Sequence, residues 1–151
     1  MIRRGTAADV HAVAELYERS FATLAYLPVL HTLEEHLSHF AKQVAEQEAW
    51  VWEDGAIRGF IVLAADVLLF LYVDVGWTGR GIGTELLEHA KTCRPDGFTL
   101  WTFQQNEGAR RFYERHGLAP VEFGDGSGNE EGMPDVRYEW RPPAGRGSPA
   151  Q

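Results

Sequence analysis

The segment from Trp77 to Ala90, WTGRGIGTELLEHA, places three glycines within five residues, at positions 79, 81 and 83. Glycine has no Cβ atom, so these positions allow a ligand to approach the backbone and leave the amides at a helix start unobstructed. Free N–H groups and the positive end of the helix dipole favour phosphate or pyrophosphate there, and Arg80 adds positive charge. The segment therefore predicts an anion-binding loop. The alternative interpretation is a tight strand-to-helix turn that holds no ligand.

Two other phosphate-binding loops do not match this segment. The phosphate loop of nucleotide hydrolases ends in Gly-Lys-Ser/Thr, whereas Gly83 is followed directly by Thr84. The dinucleotide fingerprint requires a third glycine where Leu86 stands. ATP hydrolysis and nicotinamide chemistry are therefore disfavoured.

A second segment with chemical potential runs from Leu100 to Val121, LWTFQQNEGARRFYERHGLAPV. Its first residues are typical of a strand, after which Asn106 is placed to cap a helix that Gly117 ends. Tyr113 lies seven residues after Asn106 and so on nearly the same helix face. This spacing favours an amide and a phenol that reach one groove. The alternative is a structural cap and a core aromatic.

The remaining pattern supplies the elements that must position these segments. Ile2 to Arg4 is typical of a short strand, and Asp9 is able to open a helix. Thr32 and Glu35 form a capping box for a second helix. Asp54-Gly55 predicts a hairpin turn, and the apolar run from Val67 to Val75 predicts a central strand that is covered on both faces.

Together these segments resemble the GNAT family of N-acetyltransferases. The loop written Q/R-x-x-G-x-G/A in that family is matched by residues 78–83, and the helix N-x-x-A-x-x-F-Y-E-x-x-G-F is matched from Asn106 to Leu118. The resemblance covers about residues 1–141 and implies one GNAT acetyltransferase domain there, followed by a flexible C-terminal tail at 142–151. The implied class is α+β (α/β/α): a mixed, mostly antiparallel twisted central sheet with helices on both faces, the acyl-CoA N-acyltransferase fold.

The resemblance implies acetyl-CoA as the acyl donor. Backbone groups of the central strand would pair with its pantetheine arm, amides from Gly79 to Thr84 would hold its pyrophosphate, Asn106 would touch the pantetheine, and Tyr113 would protonate the departing thiolate. The implied cofactor-binding residues are Val73, Val75, Thr78, Gly79, Arg80, Gly81, Ile82, Gly83, Thr84, Asn106 and Tyr113. Thr78 departs from the family's Gln or Arg, and Leu118 from its Phe.

The residue that deprotonates the acceptor amine is left open by the sequence. The family's carboxylate near the start of the central strand points to Asp66 as a catalytic residue beside Tyr113, and His31 is a second candidate. Other candidates are Asp74, Tyr72 and Glu35. His36 and His39 lie three residues apart beside Glu35 but have no third ligand at a suitable spacing, so no metal site is predicted.

The implied activity is direct transfer of an acetyl group to a primary amine of a small molecule, such as an amino acid, a polyamine or an aminated natural product. Two alternatives stay open: an N-terminal or lysine acetyltransferase, and a non-catalytic acyl-CoA sensor. The acceptor pocket is expected at residues 26–32 and 124–140, where Glu130, Glu131 and Asp135 would attract a cationic amine.

The net charge and the distribution of apolar residues restrict the classes of partner that the sequence predicts. The net charge of −8 disfavours nucleic-acid binding. The sequence has neither a membrane-spanning run nor a signal peptide, which predicts a cytoplasmic protein without a membrane partner. A homodimer is common in the family.

Overall fold

Seven strands and four α-helices are formed by residues 1–143, the part of the chain that this computed structural model describes. They fall into two units, one from Met1 to Ala90 and one that begins at Lys91. The tail expected at 142–151 lies, from residue 144 onward, outside the described residues. Within residues 1–143 no helix combines the length and the apolar character that crossing a membrane requires.

The first unit is built on a sheet of four antiparallel strands in chain order. These are β1 (Ile2–Arg4), β2 (Glu48–Asp54), β3 (Ala56–Ala64) and β4 (Val67–Val73). Its helices are α1 (Val10–Phe21), α2 (Leu33–Glu46) and α3 (Ile82–Cys93), the last of which ends in the second unit.

Local signals in the sequence explain where these elements begin and end. The capping box is formed, since Glu35 N donates to Thr32 Oγ1 at 3.2 Å and Thr32 N donates to Glu35 Oε1 at 2.8 Å. Gly55 turns the β2–β3 hairpin with a φ of +73°. The predicted strand from Val67 to Val75 ends at Val73 instead, because Gly76 turns the backbone with a φ of +89°.

Helices cover both faces of the first unit's sheet. On one face, Phe40 of α2 and Leu16 of α1 are fully buried in a core with Phe60 and Val62 of β3. On the other face, the predicted apolar stripe of α3 is buried at Ile82, Leu86 and Ala90. Gly59 of β3 allows α3 to approach this closely, because a Cβ there would lie 2.9 Å from Leu86 Cδ1.

A β-bulge interrupts the pairing of β3 with β4. Val62 pairs with Phe70 whereas Leu63 pairs with Leu68, which leaves Leu69 as an extra residue on β4. A bulge bends its strand and strengthens the local twist. The bulge lies near the start of β4, three residues after Asp66.

The second unit contains a three-stranded antiparallel sheet and one further helix. Its elements are β5 (Phe98–Phe103), α4 (Glu107–Arg115), β6 (Ala119–Gly124) and β7 (Asp135–Trp140), and β7 lies between β5 and β6. Leu100, Val136 and Tyr138 form its buried centre with Leu118. The strand predicted at Leu100 to Phe103 is therefore present and begins two residues earlier.

Candidate active site

The glycine loop leaves β4 and leads directly into α3. Gly79 and Gly81 have φ values of +76° and +86°, a region that residues with a side chain rarely adopt, and a Cβ at either position would meet no atom within 4 Å. Glu85 N donates to Gly81 O at 3.0 Å, which starts the helical hydrogen bonds of α3. The backbone conformation of the loop therefore favours glycine at these two positions, and the space beside them is open.

Two arginines stack on Trp77 within this loop. The guanidinium carbons of Arg58 and Arg80 lie 4.3 Å and 4.5 Å from the centre of the Trp77 ring. Cation–π contacts of this kind contribute about 0.5–1 kcal/mol at exposed sites. Arg80 is exposed and keeps its positive charge beside the glycines.

The end of β4 is fixed by a buried carboxylate. Asp74 has a side chain that is only 7% exposed, and it lies 3.0 Å from Arg19 Nε and 3.6 Å from Arg58 Nη1. A buried carboxylate held by two guanidinium groups is engaged in structure. Asp74 is therefore not available as the base that the sequence left open.

The backbone direction at the end of β4 follows from the same residue. Asp74 N donates to Arg58 O at 2.8 Å, so this N–H faces β3, whereas Asp74 O accepts from Trp77 N at 3.0 Å in the turn that follows. Backbone groups alternate along a strand, so those of Val73, the last residue of β4, turn away from β3. The Val73 carbonyl accepts a hydrogen bond from Ser20 Oγ at 3.1 Å. Val75 is exposed.

The other predicted loop residues lie together at the start of α3. Thr78 is exposed, Gly83 and Thr84 are half-buried, and Ile82 is 2% exposed. The Ile82 side chain belongs to the core under α3, so only its backbone amide faces the loop. The predicted cofactor-binding residues of the first unit, from Val73 to Thr84, thus lie on one continuous segment that joins the end of β4 to the start of α3.

Asn106 and Tyr113 lie on α4 in the second unit. Asn106 caps the helix, since its Oδ1 accepts a hydrogen bond from Ala109 N at 3.1 Å. The Tyr113 side chain is buried, yet its hydroxyl has no hydrogen-bond partner among residues 1–143. Burial raises the pKa of Tyr113 above its ordinary value, so this phenol keeps its proton at neutral pH.

Tyr138 provides a contrast within the same unit. Its hydroxyl donates to Glu114 Oε2 at 2.6 Å and accepts from Arg110 Nε at 3.0 Å. Tyr138 is fully buried. Its phenol is thus engaged in the structure, whereas that of Tyr113 is not.

The candidate bases Asp66 and His31 are both exposed. Asp66 lies in the turn between β3 and β4. His31 Nδ1 lies 3.7 Å from Glu35 Oε1, the same oxygen that accepts the Thr32 amide of the capping box. In the described part of the chain, no three His, Cys, Asp or Glu side chains are grouped in a way that would hold a metal ion.

An aromatic cluster that the sequence did not predict lies between α1, α2 and β4. We call it the Tyr17 cluster; the Tyr17 ring lies 5.0–5.7 Å from those of Phe21, His36, Phe40, Phe70 and Tyr72. Phe70 and Tyr72 are two residues apart on β4 and therefore share one face of that strand. This alternation was the signal in the sequence. Tyr72, a candidate base, is a member of this cluster.

The loop between β6 and β7 carries the carboxylates expected to attract an amine. Asn129 organises this loop, since its Nδ2 donates to Met133 O at 2.8 Å and to Asp135 Oδ2 at 3.1 Å. Glu130 is exposed and Glu131 is half-buried. Of the three predicted carboxylates, Asp135 is thus engaged in holding the loop.

Comparison with known proteins adds an independent line of evidence. Residues 45–118 match the family model of the acetyltransferase (GNAT) domain. The 5-NmdU N-acetyltransferase of Pseudomonas phage PaMx11 is 35% identical over 89 residues, which cover 52% of this chain and 64% of the relative. The peptidyl-lysine N-acetyltransferase YjaB of Salmonella typhimurium is 35% identical over 86 residues, covering 57% of this chain and 58% of the relative. The chain therefore spans less than two thirds of either relative.

A solved structure shows the same fold. The PaiA N-acetyltransferase of Thermoplasma acidophilum, determined in complex with coenzyme A, superposes with a TM-score of 0.75 at 19% identity, covering 94% of this chain and 98% of that chain. The predicted acyl-CoA N-acyltransferase fold is thereby confirmed. Residues 45–118, the segment that matches the acetyltransferase (GNAT) domain, contain both motifs on which the resemblance was based.

Proposed function

We propose that this protein is an acetyl-CoA-dependent N-acetyltransferase that transfers an acetyl group directly to a primary amine of a small molecule. The observation that carries the proposal is the loop between β4 and α3. Its left-handed glycines at 79 and 81 present backbone to open space at the start of a helix, which is the arrangement that binds a phosphate group.

The residues present fit the pyrophosphate of acetyl-CoA. A side chain at Gly79 or Gly81 would fill the space that a phosphate requires, and the adjacent Arg80 supplies positive charge. The solved PaiA structure of the same fold contains coenzyme A. Val73, whose backbone groups turn away from β3, and Val75, which lies in the turn after β4, would hold the pantetheine arm as the resemblance implies.

The chain's own residues then have distinct tasks in the transfer. When bound, acetyl-CoA supplies the thioester that the acceptor amine attacks. Tyr113, whose phenol stays protonated at neutral pH, would give its proton to the departing thiolate, as the resemblance implies. Asn106 would orient the pantetheine arm through its side-chain Nδ2, since its Oδ1 accepts the hydrogen bond from Ala109 N that caps α4. Asp66 is the base to which the resemblance points, and His31 is the second candidate from the sequence.

A small amine is proposed as the acceptor on two grounds. The net charge of −8 suits an amine that arrives as a cation. The phage relative is a 5-NmdU N-acetyltransferase. The YjaB relative acts on peptidyl lysine, so lysine in a protein is the second candidate acceptor.

A Tyr113→Phe variant tests the proposed chemistry. We expect it to bind acetyl-CoA nearly as tightly as the wild type and to transfer acetyl at least tenfold more slowly, which corresponds to about 1.4 kcal/mol of barrier. Binding is measured by calorimetry, and transfer by thiol release with a panel of small amines and a lysine peptide.

Tyr138→Phe is the matched control, because it removes a phenol hydroxyl that is engaged with Glu114. This variant is expected to lower stability without slowing transfer by the folded protein. Unchanged transfer by Tyr113→Phe would show that the proposed acid is wrong. Acetyl-CoA binding without transfer to any acceptor would favour the sensor alternative, and transfer to the lysine peptide alone would favour the protein acceptor.

A further inference from the structure

Helices α1 and α2 bring a carboxylate and an imidazole together at the edge of the Tyr17 cluster. His36 Nδ1, on α2, lies 3.6 Å from Glu18 Oε2, on α1. The His36 side chain is 15% exposed, and Nδ1 is buried without a hydrogen-bond partner in the described part of the chain. The exposed share of the side chain therefore lies away from Nδ1.

This pairing has a chemical consequence. A carboxylate beside one ring nitrogen favours the neutral tautomer that carries its proton there, which leaves the other nitrogen with a free lone pair. The separation of 3.6 Å is slightly longer than a hydrogen bond, and such contacts are often long before a substrate is bound. His36 is thus arranged to accept a proton at Nε2.

The pair lies one aromatic ring away from β4. The His36 ring meets the Tyr17 ring edge to face at 5.2 Å, and Tyr17 in turn lies 5.0 Å from Tyr72 of β4. Backbone of β4 is where the proposed function places the pantetheine arm. The imidazole therefore lies on the face of that strand covered by α1 and α2, next to a half-buried aromatic surface.

The other titratable groups near His36 are less suited to this role. The His31 ring lies 6.1 Å from the His36 ring, but the His31 side chain is 40% exposed and that of its partner Glu35 is 59% exposed. The hydrogen bond from the Thr32 amide holds the pKa of Glu35 below its ordinary value. Tyr17 and Tyr72 carry phenols, not a carboxylate or an imidazole. Glu18 has no second ion pair among residues 1–143.

We propose that His36, oriented by Glu18, is the base that accepts the proton of the acceptor amine. The proposal rests on the proposed function and names its base. The ammonium group of the acceptor gives one proton to His36 Nε2, which leaves a free amine for attack and an imidazolium whose Nδ1–H faces the Glu18 carboxylate. The resemblance alone did not identify this residue, because its partner lies 18 residues away on another helix.

The tautomer of His36 tests the pair without any substrate. Nitrogen-15 NMR of the full chain at neutral pH is expected to show the His36 proton on Nδ1 in the wild type. In Glu18→Gln the proton is expected to move toward Nε2, the form that free imidazole prefers. A wild-type His36 that is protonated on Nε2 would overturn the proposal whatever the activity of the protein.

Kinetics test the role of the pair in transfer. His36→Gln is expected to lower kcat/KM for the acceptor at least tenfold, to flatten the acidic limb of its pH profile, and to leave acetyl-CoA binding unchanged. His39→Gln, which changes an exposed histidine three residues along α2, is the matched control and is expected to retain the wild-type rate and profile.

The two proposals fail in different ways. A His36→Gln variant with the wild-type rate and pH profile would overturn the role of His36 and leave the acetyltransferase function intact. A wild-type protein that binds no acetyl-CoA would overturn the proposed function, and the proposed role of His36 with it.

Discussion

Asp9 shows how one residue joins two elements of the first unit. Arg3 of β1 donates two hydrogen bonds of 2.8 Å to its carboxylate, one to each oxygen, and Thr6 N donates another of 2.8 Å. These bonds lower the pKa of Asp9 from 3.8 to about 2. The folded state therefore binds this proton less readily than the unfolded chain, and stability is gained wherever the carboxylate is ionised.

We expect Asp9→Asn to reduce the free energy of unfolding by about 2 kcal/mol at pH 7. The stabilisation by Asp9 is complete above pH 3.8 and is lost as the pH falls through about 2, so the difference between variant and wild type should shrink over that interval. Urea unfolding at a series of pH values measures it. Asp96→Asn, at an exposed turn residue, is the control, and an equal effect of both changes would contradict the account.

At the scale of elements, the glycine loop is specified by backbone conformation. Gly81 has a φ of +86° and open space where a Cβ would be, so the obstacle to a side chain there is strain in the backbone. Left-handed backbone costs a residue with a side chain about 1–2 kcal/mol. A substitution must either bear this strain or change the path of the loop.

Gly81→Ala is therefore expected to weaken acetyl-CoA binding at least tenfold, or about 1.4 kcal/mol, because the amides that face the pyrophosphate are displaced. Calorimetric titration measures the change. Gly128→Ala is the matched control, since a Cβ there also meets no atom within 4 Å but its φ lies outside the left-handed region. Wild-type affinity in Gly81→Ala would show that the loop does not hold the cofactor.

Across the whole molecule, the features that the sequence predicted correctly are those specified by residues close together in the chain. The capping box at Thr32, the hairpin at Gly55 and the cap at Asn106 depend on residues a few positions apart, and all three are present. The bulge at Leu69 depends on the register of two strands. The pair of Glu18 with His36 depends on how two helices pack. Neither has a local signal, so neither was predicted.

The resemblance to the family identified candidate residues for the cofactor loop more completely than for the site of the acceptor amine. Loop and helix motifs are contiguous in sequence, whereas the proposed pair of Glu18 and His36 depends on the packing of α1 against α2, which has no contiguous motif. The cytoplasmic location, the homodimer and the limits of the domain at 1–141 stay predictions.

Calorimetric titration of the purified protein with acetyl-CoA, with ATP and NAD titrated in parallel, tests whether the glycine loop holds this cofactor. We expect saturable binding of acetyl-CoA at micromolar concentrations and no binding of the two control nucleotides. Absence of acetyl-CoA binding would contradict this expectation, and the glycine segment would then be a tight turn between β4 and α3 that holds no cofactor.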